Sequence, residues 1–168
     1  AHLPMASILA AAVQRLRGHR QMATRLESLT CIPVTVESVV NLEGPGEFRA
    51  TLLERIANAR ERILISALYL QDDTAGREVL AAIYAASAVR PDLQIAVFVD
   101  WHRAQRGLVG KDASPGNAAL YVEMARRLGP GVPIYGVPVQ SREWMGVMHL
   151  KGFVIDDALL YSGASIND

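Results

Sequence analysis

A histidine and a lysine stand two residues apart near the end of this 168-residue chain, at His149 and Lys151, and Asp156 follows five residues later. The chain has only one other lysine, Lys111, so chance rarely produces this spacing. A neutral imidazole attacks phosphorus well near neutral pH because its pKa lies close by. A neighbouring ammonium stabilises the negative charge that builds on phosphate oxygens in the transition state. The pattern therefore favours phosphoryl transfer, with His149 as nucleophile or acid and Lys151 as phosphate clamp, over a histidine that only fills the core.

The residues around this pair predict how it is held. The segment GFVID after Lys151 is β-branched and aromatic, which predicts a strand over residues 147–156. Side chains two apart share a face of a strand, so His149 and Lys151 are expected to meet the same phosphate. Asp156 has the opposite parity and is too distant along a straight strand to orient His149. It is therefore given a supporting role in the wall of the site.

The spacing His149-x-Lys151-x4-Asp156 resembles the H-x-K-x4-D motif, or HKD motif, of the phospholipase D superfamily. In that superfamily a loop of the Gly-Ser-x-Asn type follows the motif. Here the loop reads GASIN, with Ser165 and Asn167 each one place later than in the common pattern. The resemblance implies an α/β fold, a phospholipase D-like layered sheet flanked by helices. It also implies that Ser165 and Asn167 contact the substrate phosphate.

A closer resemblance is to the bacterial phosphatidylserine synthase branch of that superfamily. It rests on FRATLLERIANARERILISALYL, VDWHRAQRG, YGVP and HLKGFVIDDALLYSGASIND, which together span roughly residues 45 to 168. The resemblance implies phosphatidyl transfer from CDP-diacylglycerol to L-serine through a phosphohistidine intermediate, with release of CMP. It also implies a second HKD half, from the same chain or a dimer mate, so these 168 residues alone are expected to be inactive.

Other functions remain open at this point. A related phosphatidyltransferase could use glycerol phosphate or another alcohol as acceptor, and a phospholipase D-type hydrolase would use water. A non-catalytic, membrane-associated module could keep the fold without the chemistry. The motif favours an enzyme that needs no cofactor and no metal, since Lys151 and a partner lysine would hold the phosphate.

The composition of the chain indicates which kinds of partner it binds and in which cellular compartment it lies. The formal net charge is zero, which argues against a nucleic-acid partner. Cys31 is the only cysteine, so an internal disulfide is excluded and a reducing compartment is favoured. No apolar run reaches the roughly 18 residues of a transmembrane helix. We therefore expect a cytoplasmic protein that contacts the membrane surface peripherally.

The breaker cluster Asn41–Gly46 predicts a boundary between residues 1–40 and 41–168. The first part is predicted to hold a basic helix over residues 5–29 and a short strand over Cys31–Val40. That helix is typical of an ordinary surface helix or leader, although a membrane-surface helix or a targeting segment would show the same pattern. The second part is the catalytic half-domain with one HKD motif.

Alternating strands and helices predict parallel pairing in the second part. Helices are expected near residues 47–61 and 75–88 and from Ser114, as a cap, to Leu128. Strands are expected over residues 63–70, 93–99 and 132–135, ahead of the motif strand. Arg103 and Arg106 follow the second strand and could bind a diphosphate. A solvated loop without a binding role would show the same residues. The pair Asp72-Asp73 is interpreted as a helix start, and Asp157 as a turn residue.

Overall fold

A computed structural model describes residues 33–106, 116–138 and 148–166 of the chain. Its contacts divide the chain between Asn41 and Leu42. In the first unit, residues 33–41 contain one 3-10 turn at Val36–Ser38 and no strand, so the predicted strand is wrong over this part. The Ser38 hydroxyl donates to the Thr35 carbonyl oxygen at 2.7 Å, a local bond that favours a turn. Residues 1–32, with the predicted basic helix, lie outside the described residues.

The second unit alternates helices and strands. In chain order the elements are α1 (Gly44–Asn58), β1 (Arg62–Ala67), α2 (Thr74–Val89), β2 (Gln94–Asp100), α3 (Trp101–Ala104), α4 (Asn117–Leu128), β3 (Ile134–Val137), β4 (Gly152–Ile155) and β5 (Ala158–Tyr161). None of the helices in the described part of the chain is long and apolar enough to span a membrane.

The starts of α2 and α4 have different physical causes. The Asp73 carboxylate caps α2 by accepting from the Gly76 N–H at 2.8 Å, which confirms the acidic pair as a helix start. α4 begins after Gly116, so the predicted Ser114 cap is wrong. A side chain at Gly116 would put Cβ 2.1 Å from the Gln105 carbonyl oxygen. The chain passes too close to its neighbour there for any residue but glycine.

The sheet is mixed, with the strand order β3-β2-β1-β4-β5. The predicted parallel pairing is confirmed for β1, β2 and β3 and is wrong for β4, which runs antiparallel to β1. β4 and β5 form a hairpin through the two-residue turn Asp156-Asp157, and so short a link can only join antiparallel strands. Asp156 adopts a φ of 52° in this turn, a conformation that aspartate tolerates better than most residues. The assignment of Asp157 to a turn is confirmed.

The core lies on one face of the sheet. The buried strand residues Ile63, Ile65, Val97, Val99, Phe153, Ile155 and Leu160 share this face and pack with apolar residues of α1, α2 and α4. The opposite face keeps large side chains in solvent: Phe98, Tyr135, Leu159 and Tyr161. Burial on one side only gives β1 and β4 their alternating patterns.

The direction of β4 places the HKD motif. Gly152, the first residue of β4, pairs with Ser66 near the carboxyl end of β1. Residues 148–151 therefore lie at the edge where the parallel strands end, which is where α/β sheets collect ligands. The predicted strand over residues 147–156 is correct for residues 152–155 but wrong for 148–151, where the Met148 N–H and the Leu150 carbonyl bind side chains rather than a neighbouring strand.

Candidate active site

His149 and Lys151 are brought together at this edge. The Lys151 Nζ lies 3.2 Å from Nδ1 and 3.1 Å from Nε2 of His149. Lys151 is buried, with 4% of its surface exposed, whereas His149 is exposed. An ammonium only donates hydrogen bonds, so it can bond whichever ring nitrogen carries no proton. The pair thus combines an accessible imidazole with a fixed positive charge beside it.

Two polar side chains hold the main chain on either side of His149. The Met148 N–H donates to Oδ2 of Asp100 at 2.9 Å. The Ser66 hydroxyl donates to the Leu150 carbonyl oxygen at 3.3 Å. Ser66 and Asp100 lie near the carboxyl ends of β1 and β2, so the parallel strands supply the anchors for the motif.

The turn that carries the candidate arginines follows β2 directly. Oδ1 of Asp100 accepts from the Arg103 N–H at 2.9 Å and so caps α3. Trp101 packs on Gly136 of β3, where a Cβ atom would lie 2.4 Å from the indole ring. Arg103 is half-buried and Arg106 is exposed. Both arginines therefore belong to the carboxyl edge of the sheet that also holds His149.

The loop after β5 returns to the end of β1. Ile166 forms a parallel bridge with Leu70, and the half-exposed Ser165 precedes it. Leu70 is itself fixed by Tyr121 of α4, whose hydroxyl donates to the Leu70 carbonyl at 2.8 Å and accepts from the Leu70 N–H at 2.9 Å. Ser165 is thus carried by the segment beside Leu70, while Asn167 lies outside the described residues.

Asp156 lies at the opposite end of β4 from Lys151. Its Oδ1 accepts from the N–H groups of Arg60, Glu61 and Arg62 at 3.1, 2.8 and 3.1 Å. Partial burial by itself raises the pKa of Asp156, but these donors outweigh it, and the pKa lies below its ordinary value. The carboxylate thus ties the β4–β5 turn to the start of β1.

No group of three or more potential metal ligands occurs within residues 33–106, 116–138 and 148–166. His102 is exposed on α3, in the turn after β2.

Known proteins share both the sequence and the fold of this chain, although no family model matches it. The chain is 52% identical over 145 residues to the CDP-diacylglycerol–serine O-phosphatidyltransferase PssA of Escherichia coli, covering 85% of this chain and 32% of that protein. It is 44% identical over 146 residues to the corresponding enzyme of Haemophilus influenzae, with the same coverage. This chain is a homologue of the bacterial CDP-diacylglycerol–serine O-phosphatidyltransferases. It spans about a third of the length of these relatives.

The solved structures agree with this homology. The crystal structure of phosphatidylserine synthase from Haemophilus influenzae matches with a TM-score of 0.75 and 41% identity, over 88% of this chain and 33% of that one. NucT from Helicobacter pylori matches with a TM-score of 0.51 and 17% identity, over 73% and 71% of the two chains, and so shares the fold alone. The predicted layered sheet and the resemblance to the phosphatidylserine synthase branch are confirmed.

More distant relatives carry a different name. The CDP-diacylglycerol–glycerol-3-phosphate 3-phosphatidyltransferase of Saccharomyces cerevisiae is 26% identical over 153 residues, covering 83% of this chain and 28% of that protein.

Sequence reasoning missed the supports of the site. The sequence did not predict Asp100 as the acceptor of the Met148 N–H, and it did not single out Ser66 or Tyr121. The missed bonds join residues 48, 84 and 51 positions apart, so no local pattern reports them. The available signal was an aspartate that ends a buried strand and begins a turn.

Proposed function

We propose that the complete protein transfers a phosphatidyl group from CDP-diacylglycerol to L-serine and releases CMP. The observation that carries the proposal is the contact of the buried Lys151 ammonium with the exposed His149 imidazole, in a chain 52% identical to an enzyme named for this reaction. The pair has the two parts that phosphoryl transfer needs, a nucleophile and a fixed positive charge.

In the first step, with His149 as nucleophile, the unprotonated ring nitrogen attacks the phosphorus of the phosphatidyl group. A P–N bond forms, the P–O bond to CMP breaks, and CMP leaves with the electron pair of that bond. Lys151 turns from the ring to the phosphate oxygens, which frees the nitrogen lone pair and stabilises the growing negative charge. The product is a phosphatidyl group held on His149.

In the second step the hydroxyl oxygen of serine attacks the same phosphorus. The P–N bond breaks, the hydroxyl proton passes to a base, and His149 regains its lone pair. The acid and base of the two steps would come from a second HKD half, in the same chain or in a dimer mate. If that second histidine is the nucleophile, His149 takes the acid role and the same two steps hold.

The proposed donor, CDP-diacylglycerol, is a lipid, so the reaction takes place at a membrane surface. A water-exposed site that acts on CDP-diacylglycerol must meet the bilayer surface, so we propose a cytoplasmic protein that binds the membrane peripherally. Arg103, Arg106, Ser165 and Asn167 are proposed to contact the substrate phosphates, and the first three belong to the carboxyl edge of the sheet.

A second acceptor is favoured by the relatives at 26% identity, which are named for glycerol 3-phosphate. Both reactions share the donor and the covalent step and differ only in the alcohol. The two are separated by incubating the complete protein with CDP-diacylglycerol in detergent micelles and equal concentrations of the two labelled acceptors. Phosphatidylserine as the main product supports the proposal, and phosphatidylglycerophosphate as the main product contradicts it.

The role of the motif is tested by His149→Asn in the same assay. His102→Asn is the matched control, since His102 is also exposed at this edge of the sheet. We expect His149→Asn to abolish transfer and His102→Asn to retain it. A non-catalytic module would show no serine-dependent transfer in the wild-type protein either.

A further inference from the structure

His149 lies before β4, in residues 148–151, where no described strand pairs with Met148, His149 or Leu150. Of the two side chains that hold this segment, Asp100 makes the shorter bond, 2.9 Å to the Met148 N–H against 3.3 Å for Ser66. A carboxylate acceptor also makes the stronger bond. We propose that Asp100 is a positioning residue, which fixes the imidazole of His149 for attack on phosphorus. This inference rests on the proposed function.

Asp100 is well placed to act as an anchor. Its surface is 0% exposed, and β2, which it ends, is paired on both sides. Its own N–H donates to the Leu68 carbonyl at 3.2 Å, and it pairs in register with Val137. The residue therefore sits in the rigid interior of the sheet, where side chains change rotamer at high cost.

Both carboxylate oxygens of Asp100 are in use. Oδ1 accepts from the Arg103 N–H and Oδ2 from the Met148 N–H, each at 2.9 Å. A rotation that broke one bond would break the other. One carboxylate thus sets the position of the His149 segment relative to the turn that carries Arg103 and Arg106.

The expected size of the effect follows from the geometry of attack. Displacing a reacting atom by about 1 Å costs on the order of 100-fold in rate. A loss of the Met148 bond releases the main chain directly before His149, so the rate of the chemical step should fall. Donor affinity should change little, because Asp100 is buried and does not face the substrate.

Two substitutions separate this role from simple capping. Serine is a good helix cap, so Asp100→Ser can still accept from the Arg103 N–H, but its single, shorter oxygen cannot also reach Met148. Asp100→Asn keeps the shape, but its NH2 group must face one of the two N–H donors. The matched control is Asp73→Ser, the same change at the cap of α2, where the carboxylate accepts from the Gly76 N–H.

The first measurement is steady-state transfer by the complete protein, expressed per folded molecule from near-ultraviolet circular dichroism. We expect Asp100→Ser to lower kcat about 100-fold, with the KM for CDP-diacylglycerol little changed. Asp100→Asn should fall in the same direction, and Asp73→Ser should keep the wild-type kcat.

The second measurement needs no substrate. In protein labelled with [15N]methionine and [15N]histidine, NMR reports the Met148 amide and the His149 imidazole. We expect Asp100→Ser to shift the Met148 amide upfield and to alter the His149 ring signals, and Asp73→Ser to leave both unchanged. A role confined to stability would still shift the Met148 amide, which loses its acceptor, but would leave the His149 ring signals of the folded molecules in place.

The results for the Asp100 variants show whether this residue positions His149 or only stabilises the fold. The proposal is wrong if folded Asp100→Ser and Asp100→Asn keep the wild-type kcat, or if neither variant folds while Asp73→Ser does. In the latter case Asp100 serves folding. If the wild-type protein transfers nothing to serine, the proposed function fails, and the NMR comparison alone tests whether Asp100 orders His149.

Discussion

At the scale of single residues, the buried Lys151 and the exposed His149 have different roles in the site. The ammonium is held inside the fold, with 4% of its surface exposed, and its contact in the described structure is the imidazole of His149. A substrate phosphate would give this ammonium a negatively charged partner. The positive charge of Lys151 would then serve both substrate binding and stabilisation of the transition state.

Lys151 therefore has a testable signature. Lys151→Met keeps the length of the side chain and removes the charge, so the fold should survive because burying an ammonium is costly. We expect kcat to fall about 100- to 1,000-fold, the typical loss of a group that stabilises transition-state charge. The measurement is steady-state transfer by the complete protein together with its thermal midpoint. A variant with the wild-type kcat would contradict the clamp role.

Asp156 is predicted to matter for stability rather than for rate. Asp156→Ala removes the acceptor of three backbone N–H groups and places alanine at a φ of 52°, so it should lower the free energy of unfolding by about 2 kcal/mol. Asp156→Asn keeps one oxygen and tolerates this φ, so it should cost less. The kcat of the folded variants should match the wild-type value, and a large loss of kcat in Asp156→Asn would contradict this assignment.

The same residue predicts a pH dependence. Because the pKa of Asp156 is lowered from its ordinary value of 3.8 in the folded state, the carboxylate stabilises the fold fully above that value. The stabilisation is lost as the pH falls through the lower folded-state pKa. Chemical unfolding of wild type and Asp156→Asn should therefore show a difference that is constant near neutral pH and shrinks below about pH 4. A difference that persists at lower pH would contradict the assignment.

At the scale of elements, α4 holds the segment after β1 and, through it, the segment that carries Ser165. The Tyr121 hydroxyl makes two hydrogen bonds to Leu70, which bridges to Ile166 beside Ser165. Tyr121→Phe leaves a buried N–H and a buried carbonyl without this partner and should lower the free energy of unfolding by about 1–3 kcal/mol. Equilibrium unfolding in urea measures the change.

A second buried tyrosine provides the control. The Tyr84 hydroxyl has no hydrogen-bond partner among the described residues, so Tyr84→Phe should change stability by less than about 0.5 kcal/mol. Both substitutions remove one oxygen from a buried ring. Equal losses in the two variants would show that the hydrogen bonds to Leu70 do not matter.

The elements also show what the sequence could predict. The helix predicted near residues 75–88 and the strands predicted over 63–70 and 93–99 correspond to α2, β1 and β2, because these elements are encoded by local sequence. The antiparallel direction of β4 was missed, because the composition of GFVID predicts a strand but not its direction. The spacing of His149 and Lys151 predicted that both face one phosphate, and the structure brings the two side chains together although residues 148–151 form no strand. Their anchors were not predicted, because Asp100 reaches Met148 across 48 residues.

At the scale of the whole molecule, the described residues from Leu42 onward form one layer of helices on one face of a sheet. The chain spans about a third of the length of its relatives. The other face of the sheet exposes the stacked rings of Phe98 and Tyr135, whose centroids lie 5.3 Å apart. Full activity is therefore predicted for the complete protein, where the second HKD half would supply the acid and base. The two-step mechanism makes its sharpest prediction at this scale.

A covalent phosphatidyl intermediate requires that the first step run in both directions without serine. The complete protein should therefore exchange label between CMP and CDP-diacylglycerol when serine is absent, and His149→Asn should abolish the exchange. Direct attack of serine on CDP-diacylglycerol would give no exchange, because CMP could then leave only when serine attacks. The experiment incubates labelled CMP with CDP-diacylglycerol in detergent micelles and follows label into the lipid. A preparation that makes phosphatidylserine but exchanges no label would rule out the covalent route, while the role of Lys151 as phosphate clamp is tested separately by Lys151→Met.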